Sequence, residues 1–72
     1  MESKSERFKR VATRRTNAIL KQLDVLGHCA NRSAYDYTDE EVNKIFAEID
    51  KAMKLVKMRF QLNDRKKKKF KL

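Results

Sequence analysis

The stretch TDEEVNKIFAEIDKAMKLVKMRFQL, residues 38–62, decides the fold because it contains both a helix start and a long helical pattern. Its first four residues match a capping box, in which the Thr38 hydroxyl accepts a hydrogen bond from the Glu41 amide and the Glu41 carboxylate accepts one from the Thr38 amide. Apolar residues then recur at alternating steps of four and three, which is the repeat of a coiled-coil seam: Val42, Phe46, Ile49, Met53, Val56 and Phe60. We therefore predict a helix over about residues 38–63.

A second, weaker helical pattern precedes this stretch. The apolar residues Phe8, Val11, Ala12, Ile19, Leu23 and Leu26 recur at helical spacing. Arg15 interrupts this face, so the pattern predicts a helix over about residues 5–26 with a weaker apolar seam. Gly27 is predicted to end the helix in the left-handed conformation, and turn-forming residues fill a connection over residues 27–37.

The two patterns together predict an all-α fold. The chain has no proline and a single glycine, which favours long uninterrupted helices. Two helices joined by a short connection should fold back as an antiparallel two-helix hairpin over residues 1–63. One hairpin covers its apolar faces poorly, so we expect a homodimer in which two hairpins form a four-helix bundle. Residues 64–72 are expected to form a basic tail.

The composition narrows the class of protein. A chain of 72 residues holds one small domain, and its single cysteine cannot form an internal disulfide, which points to a reducing, cytoplasmic location. His28 and Cys29 are adjacent, but four zinc ligands at recognisable spacing are absent from the sequence. Adjacent side chains also rarely align for proton transfer, so Cys29 is not a convincing nucleophile. We expect no metal, no cofactor, no small-molecule substrate and no enzymatic activity.

Charge is distributed unevenly along the chain, whose net charge is +9. Residues 1–21 carry seven basic and two acidic side chains, and residues 22–50 carry two basic and seven acidic ones. Residues 51–72 carry ten basic side chains and one acidic side chain. An antiparallel hairpin would bring the two basic segments to the same end. Such a pole suits the phosphate backbone of DNA or RNA, which is bound without sequence preference through Lys and Arg. The residues predicted to bind nucleic acid are Lys9, Arg10, Arg14, Arg15, Lys54, Lys57, Arg59, Arg65, Lys66, Lys67, Lys68 and Lys69.

Three alternatives to nucleic-acid binding remain open. The protein could be an interaction module that docks on a host protein through the seam or through the 31–37 loop, whose candidate contact residues are Asn31, Arg32, Tyr35 and Tyr37. The two tyrosines are also explained by packing, with Tyr37 acting as a hydrophobic staple against Val42 or a neighbouring residue. A solvated, solubilising tail is the ordinary explanation of the lysine run, and a membrane surface is the less favoured partner.

The segment RRTNAILKQLDVLGHCANRSAYDYTDEEVNKIF, residues 14–46, resembles a group of small uncharacterised helical proteins of Gram-positive phages, plasmids and conjugative elements. The resemblance rests on Arg15 and Asn17, on Leu26-Gly27, on Asn31-Arg32-Ser33, and on residues 35–38 leading into Val42 and Ile45-Phe46. It implies no particular activity. It implies a mobile-element context, in which small proteins bind host machinery or their own nucleic acid.

Overall fold

All regular structure in the computed structural model, which describes residues 1–63, is helical. The elements are helix α1, Lys4–Gly27, a single 3₁₀ turn, His28–Ala30, and helix α2, Asp39–Leu62. Residues 1–63 contain no strand, which confirms the all-α prediction for that part of the chain. The predicted basic tail, with Arg65 and the lysines at 66–69, lies outside the described residues. The chain divides into two units, Met1–Asp36 and Tyr37–Leu72.

Helix α1 begins with a capping box that the sequence patterns did not include. The Glu6 amide donates to Ser3 Oγ at 3.1 Å, and the Ser3 amide donates to Glu6 Oε1 at 3.0 Å. Hydrogen bonds to the Glu6 carboxylate, first from the Ser3 backbone amide and then from the Ser3 side chain, lower the pKa of Glu6 from its ordinary value of 4.5, because they favour the ionised form. The local start of α1 therefore lies one residue before the predicted position.

The prediction that Gly27 adopts a left-handed conformation was wrong. Gly27 has φ −60° and ψ −24°, which are right-handed helical values, and it is the last residue of α1. The chain then tightens into the 3₁₀ turn, and the His28 amide donates to the carbonyls of Val25 and Leu26. The helix thus ends by a change from α to 3₁₀ hydrogen bonding, which requires no left-handed residue.

The turn after the 3₁₀ segment is organised by Asn31. Its side-chain Oδ1 accepts from the Ser33 amide at 3.0 Å, and its backbone carbonyl accepts from the amides of Ala34 and Tyr35 at 3.1 and 3.0 Å. An asparagine side chain bonded two residues ahead replaces a backbone hydrogen bond and stops helix propagation. The turn-forming role predicted for this residue is confirmed.

The capping box predicted for α2 is confirmed. The Glu41 amide donates to Thr38 Oγ1 at 3.1 Å, and the Thr38 amide donates to Glu41 Oε1 at 2.8 Å. Acidic residues occupy the first turn and Arg59 the last, in accordance with the helix dipole. At the other end Asn63 closes the helix, because its side-chain amide donates to the Arg59 carbonyl at 2.9 Å.

Side chains within residues 1–63 are nowhere fully buried. On α2 the seam residues Phe46, Met53 and Val56 are 49%, 47% and 48% exposed, while Val42 and Ile49 are half-buried. Caps and the intrahelical hydrogen bonds therefore define each helix locally, and large apolar side chains of both helices remain accessible to a partner surface.

Candidate nucleic-acid interface

Three arginines of α1 lie along one side of that helix. Arg7, Arg10 and Arg14 are separated by three and four residues, and a rotation of about 100° per residue places such positions on a common face. All three are exposed. We call this set the α1 stripe. Arg10 and Arg14 were among the predicted binding residues. Arg7 was not, although its three-residue spacing from Arg10 indicates a shared helix face.

Arg10 is oriented by a neighbouring carboxylate. Its Nε and Nη2 donate to the two Glu2 oxygens at 2.8 and 3.0 Å, a bidentate pair that raises the pKa of Arg10. A guanidinium has five N–H donors, so three remain for another acceptor. The pair fixes the guanidinium and lowers the local positive charge at this position.

The other two predicted cations of α1 lie off the stripe. Helical rotation places Lys9 about 100° from Arg10, on a different side of the helix. Arg15 falls within the apolar face, between Ala12 and Ile19. Both are exposed, but the helix does not group them with the α1 stripe.

Helix α2 carries a second line of cations. Lys51, Lys54 and Lys57 are spaced by three residues and form an exposed line that runs obliquely from the far side of the helix towards the seam. We call this line the α2 ridge. Lys51 was not among the predicted binding residues. Arg59 was among them, but it lies on the opposite flank of the seam. Of the three cations predicted on α2, Lys54 and Lys57 are therefore grouped with Lys51.

Charge is also segregated along each helix axis. The first half of α1, residues 4–15, carries six basic side chains and one acidic one, whereas residues 16–27 carry one of each. In α2, residues 39–50 carry five acidic side chains and one lysine, net −4, and residues 51–62 carry four basic side chains and no acidic ones, net +4. Each helix therefore has one strongly cationic half.

The 31–37 loop offers fewer side chains for contact than the sequence suggested. Both oxygens of Asn31 accept hydrogen bonds within the turn. Tyr35 is 53% exposed and Arg32 is also exposed. Tyr37 is half-buried, as is Val42, the other position of the predicted staple. Tyr35 and Arg32 are the loop residues best placed to meet a partner.

The described side chains that could act in catalysis or bind a metal do not form a cluster. Cys29 is exposed, and His28 Nε2 lies 3.9 Å from Asp24 Oδ2 on the same helical surface. In the part of the chain that the structure describes, no three His, Cys, Asp or Glu side chains gather as a metal site would require. Neither α1 nor α2 is long and apolar enough to cross a membrane.

Comparison of the chain with protein-family models, curated proteins and solved structures finds no match. The resemblance to small mobile-element proteins stays a prediction.

Proposed function

We propose that this protein is a non-enzymatic accessory or regulatory factor that binds the phosphate backbone of nucleic acid without sequence preference. The observation that carries the proposal is the grouping of exposed cations into the α1 stripe and the α2 ridge. Each lysine or arginine that neutralises a phosphate releases condensed counterions, so such surfaces bind DNA or RNA in a strongly salt-dependent manner. Residues 64–72 add six Lys or Arg side chains and one acidic side chain to the sequence.

The proposal includes an antiparallel hairpin of α1 and α2. In that arrangement the cationic half of α1 lies beside the cationic half of α2, and residues 64–72 follow α2 in the sequence. Like charges brought together repel in the absence of an anion. A phosphate backbone relieves this repulsion, so nucleic acid would bind the closed hairpin more tightly than separated helices.

The proposed pairing of two hairpins is supported by apolar residues on two sides of α2. The seam occupies one side, and Leu55, Met58 and Leu62 lie about 180° away, at 54%, 50% and 64% exposure. A helix that is apolar on opposite sides needs cover from two directions. The companion helix α1 and a second copy of the chain would provide both.

Paired lysine substitutions test where the nucleic acid binds. Lys54→Gln with Lys57→Gln removes two cations from the α2 ridge, whereas Lys21→Gln with Lys44→Gln removes two exposed cations nearer the connection. Both variants lose the same charge. Fluorescence anisotropy with an arbitrary duplex gives the slope of log affinity against log salt. We expect the ridge variant to flatten this slope by about 1 to 2 relative to the unmodified chain, and the control to change it much less.

Equal flattening by the two variants would contradict the proposal, since it would mean that net charge alone attracts the duplex. A third variant with Lys66, Lys67, Lys68 and Lys69 replaced by alanine measures the contribution of the lysine run in the same assay.

A second candidate function is supported by Tyr35, a large aromatic side chain exposed in the 31–37 loop. Tyrosine contributes large contact area at low entropic cost, which is typical of protein interfaces. Pull-down from a bacterial lysate with and without nuclease distinguishes the candidates. Loss of all captured macromolecules after nuclease treatment favours nucleic acid, and a retained protein whose capture requires Tyr35 favours an interaction module.

A further inference from the structure

The acidic first half and basic second half of α2 are complementary to a second α2 that runs in the opposite direction. Residues 39–50 have a net charge of −4 and residues 51–62 a net charge of +4 over equal lengths. Parallel pairing would place each half beside the same half of the partner, so that like charges meet along the whole helix. Antiparallel pairing places each half beside its opposite, and the helix dipoles also oppose one another.

The seam of α2 fits the same orientation. Its six residues are arranged symmetrically about Lys51, which lies on the far side of the helix from the seam. When two copies run antiparallel with their Lys51 positions at the same height, each Val42 faces a Phe60, each Phe46 faces a Val56, and each Ile49 faces a Met53. These are the facing layers of an antiparallel coiled coil.

The sizes of the facing side chains favour this register. Each of the outer layers then combines a phenylalanine with a valine, and each inner layer combines isoleucine with methionine. Parallel pairing in register would instead place valine against valine and phenylalanine against phenylalanine in separate layers. Facing large with small residues fills the space between helices more evenly, which is the condition for dense packing.

We propose that α2 is the dimerisation element of this protein and pairs antiparallel with α2 of a second copy, centred on Lys51. The proposal rests on the pairing of two copies included in the proposed function and specifies its helix, orientation and register. It does not depend on nucleic-acid binding, so the two can fail separately. One feature of the register is unfavourable: Asp50 flanks the seam and faces its own copy near the two-fold axis.

Disulfide trapping tests orientation and register directly. Two variants are prepared in a Cys29→Ser background, one with Ile49→Cys and one with Met53→Cys. Facing seam positions have Cα atoms about 3.5 to 5.5 Å apart, since helix axes pack about 8–10 Å apart and Cα atoms lie about 2.3 Å from each axis. This distance suits a disulfide. The same position in the two copies is displaced by about 6 Å along the axis, which places those Cα atoms about 7 to 8 Å apart, beyond the usual range of a disulfide.

We expect the mixture of the two variants to form a disulfide between positions 49 and 53, identified by mass spectrometry of the linked peptides, and each variant alone to form little dimer. Self-linked Ile49→Cys or Met53→Cys dimers as the main product would show parallel pairing and overturn the proposal. An absence of disulfide dimers in all three samples would overturn it as well, provided that circular dichroism shows the variants to be as helical as the Cys29→Ser protein.

Substitution of Asp50 supplies a second test that leaves the seam intact. Asp50→Asn removes the like-charge pair at the two-fold axis, and we expect the dissociation constant of the dimer to fall about two- to tenfold. Glu48→Gln changes the charge by the same amount but lies away from the seam, so it should not tighten the dimer. Sedimentation equilibrium measures both. In a parallel dimer Asp50 would face Ile45 of the other copy, and the absence of tightening by Asp50→Asn would contradict the proposed register.

Discussion

Helices α1 and α2 have equal lengths of 24 residues and begin with the same kind of capping box, but their charges and apolar faces are arranged differently. Helix α2 has acidic side chains in its first turn, a basic one in its last turn and an uninterrupted seam. Helix α1 concentrates its cations in its first half, against the helix dipole, and Arg15 interrupts its apolar face. We therefore propose that α2 mediates association as well as carrying the α2 ridge, whereas α1 contributes the α1 stripe.

The largest expected difference between the helices concerns association. Ile49→Lys places a charge in the middle of the α2 seam, where dimerisation would bury it without a partner. We expect self-association to weaken at least about 100-fold, since burial of an unpaired charge costs about 3 kcal/mol or more. Ile19→Lys makes the same change on the apolar face of α1, which already contains Arg15. Sedimentation equilibrium gives the dissociation constant of the dimer for both variants. An equal or larger effect of Ile19→Lys would contradict the proposal that α2 mediates association.

The next effect concerns the caps. Thr38→Ala removes the side chain that accepts from the Glu41 amide at 3.1 Å, and we expect it to reduce the free energy of unfolding by about 1 kcal/mol. Ser3→Ala should cost less, because the first turn of a terminal helix can fray without affecting the rest. Denaturant unfolding followed by circular dichroism measures both losses. A greater loss for Ser3→Ala would reverse this ranking.

A smaller effect, opposite in sign, is expected at the end of α1. Gly27 has right-handed helical angles, and a Cβ added there would meet no atom within 4 Å. Gly27→Ala should therefore increase helix stability by up to about 1 kcal/mol, because alanine loses less backbone entropy than glycine. Thermal unfolding provides the measurement. Destabilisation would mean that Gly27 requires a left-handed conformation, as the sequence alone suggested.

The smallest expected effect is a pH dependence at the start of α1. Hydrogen bonds from Ser3 lower the pKa of Glu6 in the folded chain, so its contribution to helix stability is present above its ordinary pKa of 4.5 and is lost as pH falls through the lower, folded value. NMR titration of the Glu6 carboxyl should give a pKa below 4.5. In Ser3→Ala the backbone amide can still donate to the carboxylate, so this pKa should rise only part of the way towards the ordinary value, and an unchanged pKa would rule out the Ser3 side chain as a cause.

Local features were predictable from the sequence where a few neighbouring residues determine them. The Thr38 cap, the turn at Asn31 and the helical character of both segments follow from short-range hydrogen bonding and periodicity, and the structure confirms them. The conformation of Gly27 was not predictable, because glycine is compatible with both a left-handed end and a right-handed one. The 3₁₀ turn after it, which no strong residue preference specifies, decides between them.

The candidate interface was only partly predictable for a different reason. A count of charges along the chain identified the cationic halves but ignored the rotation of the helix. Rotation is what adds Arg7 and Lys51 to the α1 stripe and the α2 ridge and moves Lys9, Arg15 and Arg59 away from them. The pair between Arg10 and Glu2 spans eight residues, and no helical spacing rule would have indicated it.

The salt dependence of nucleic-acid binding tests the central claim most directly. Affinity of the unmodified chain for two duplexes of unrelated sequence is measured by fluorescence anisotropy over a range of salt concentrations. We predict similar affinities for both duplexes and a slope of log affinity against log salt steeper than about −3, as expected when several phosphates are neutralised together. Absence of binding at low salt, or a slope near zero, would contradict the claim that this protein binds the phosphate backbone.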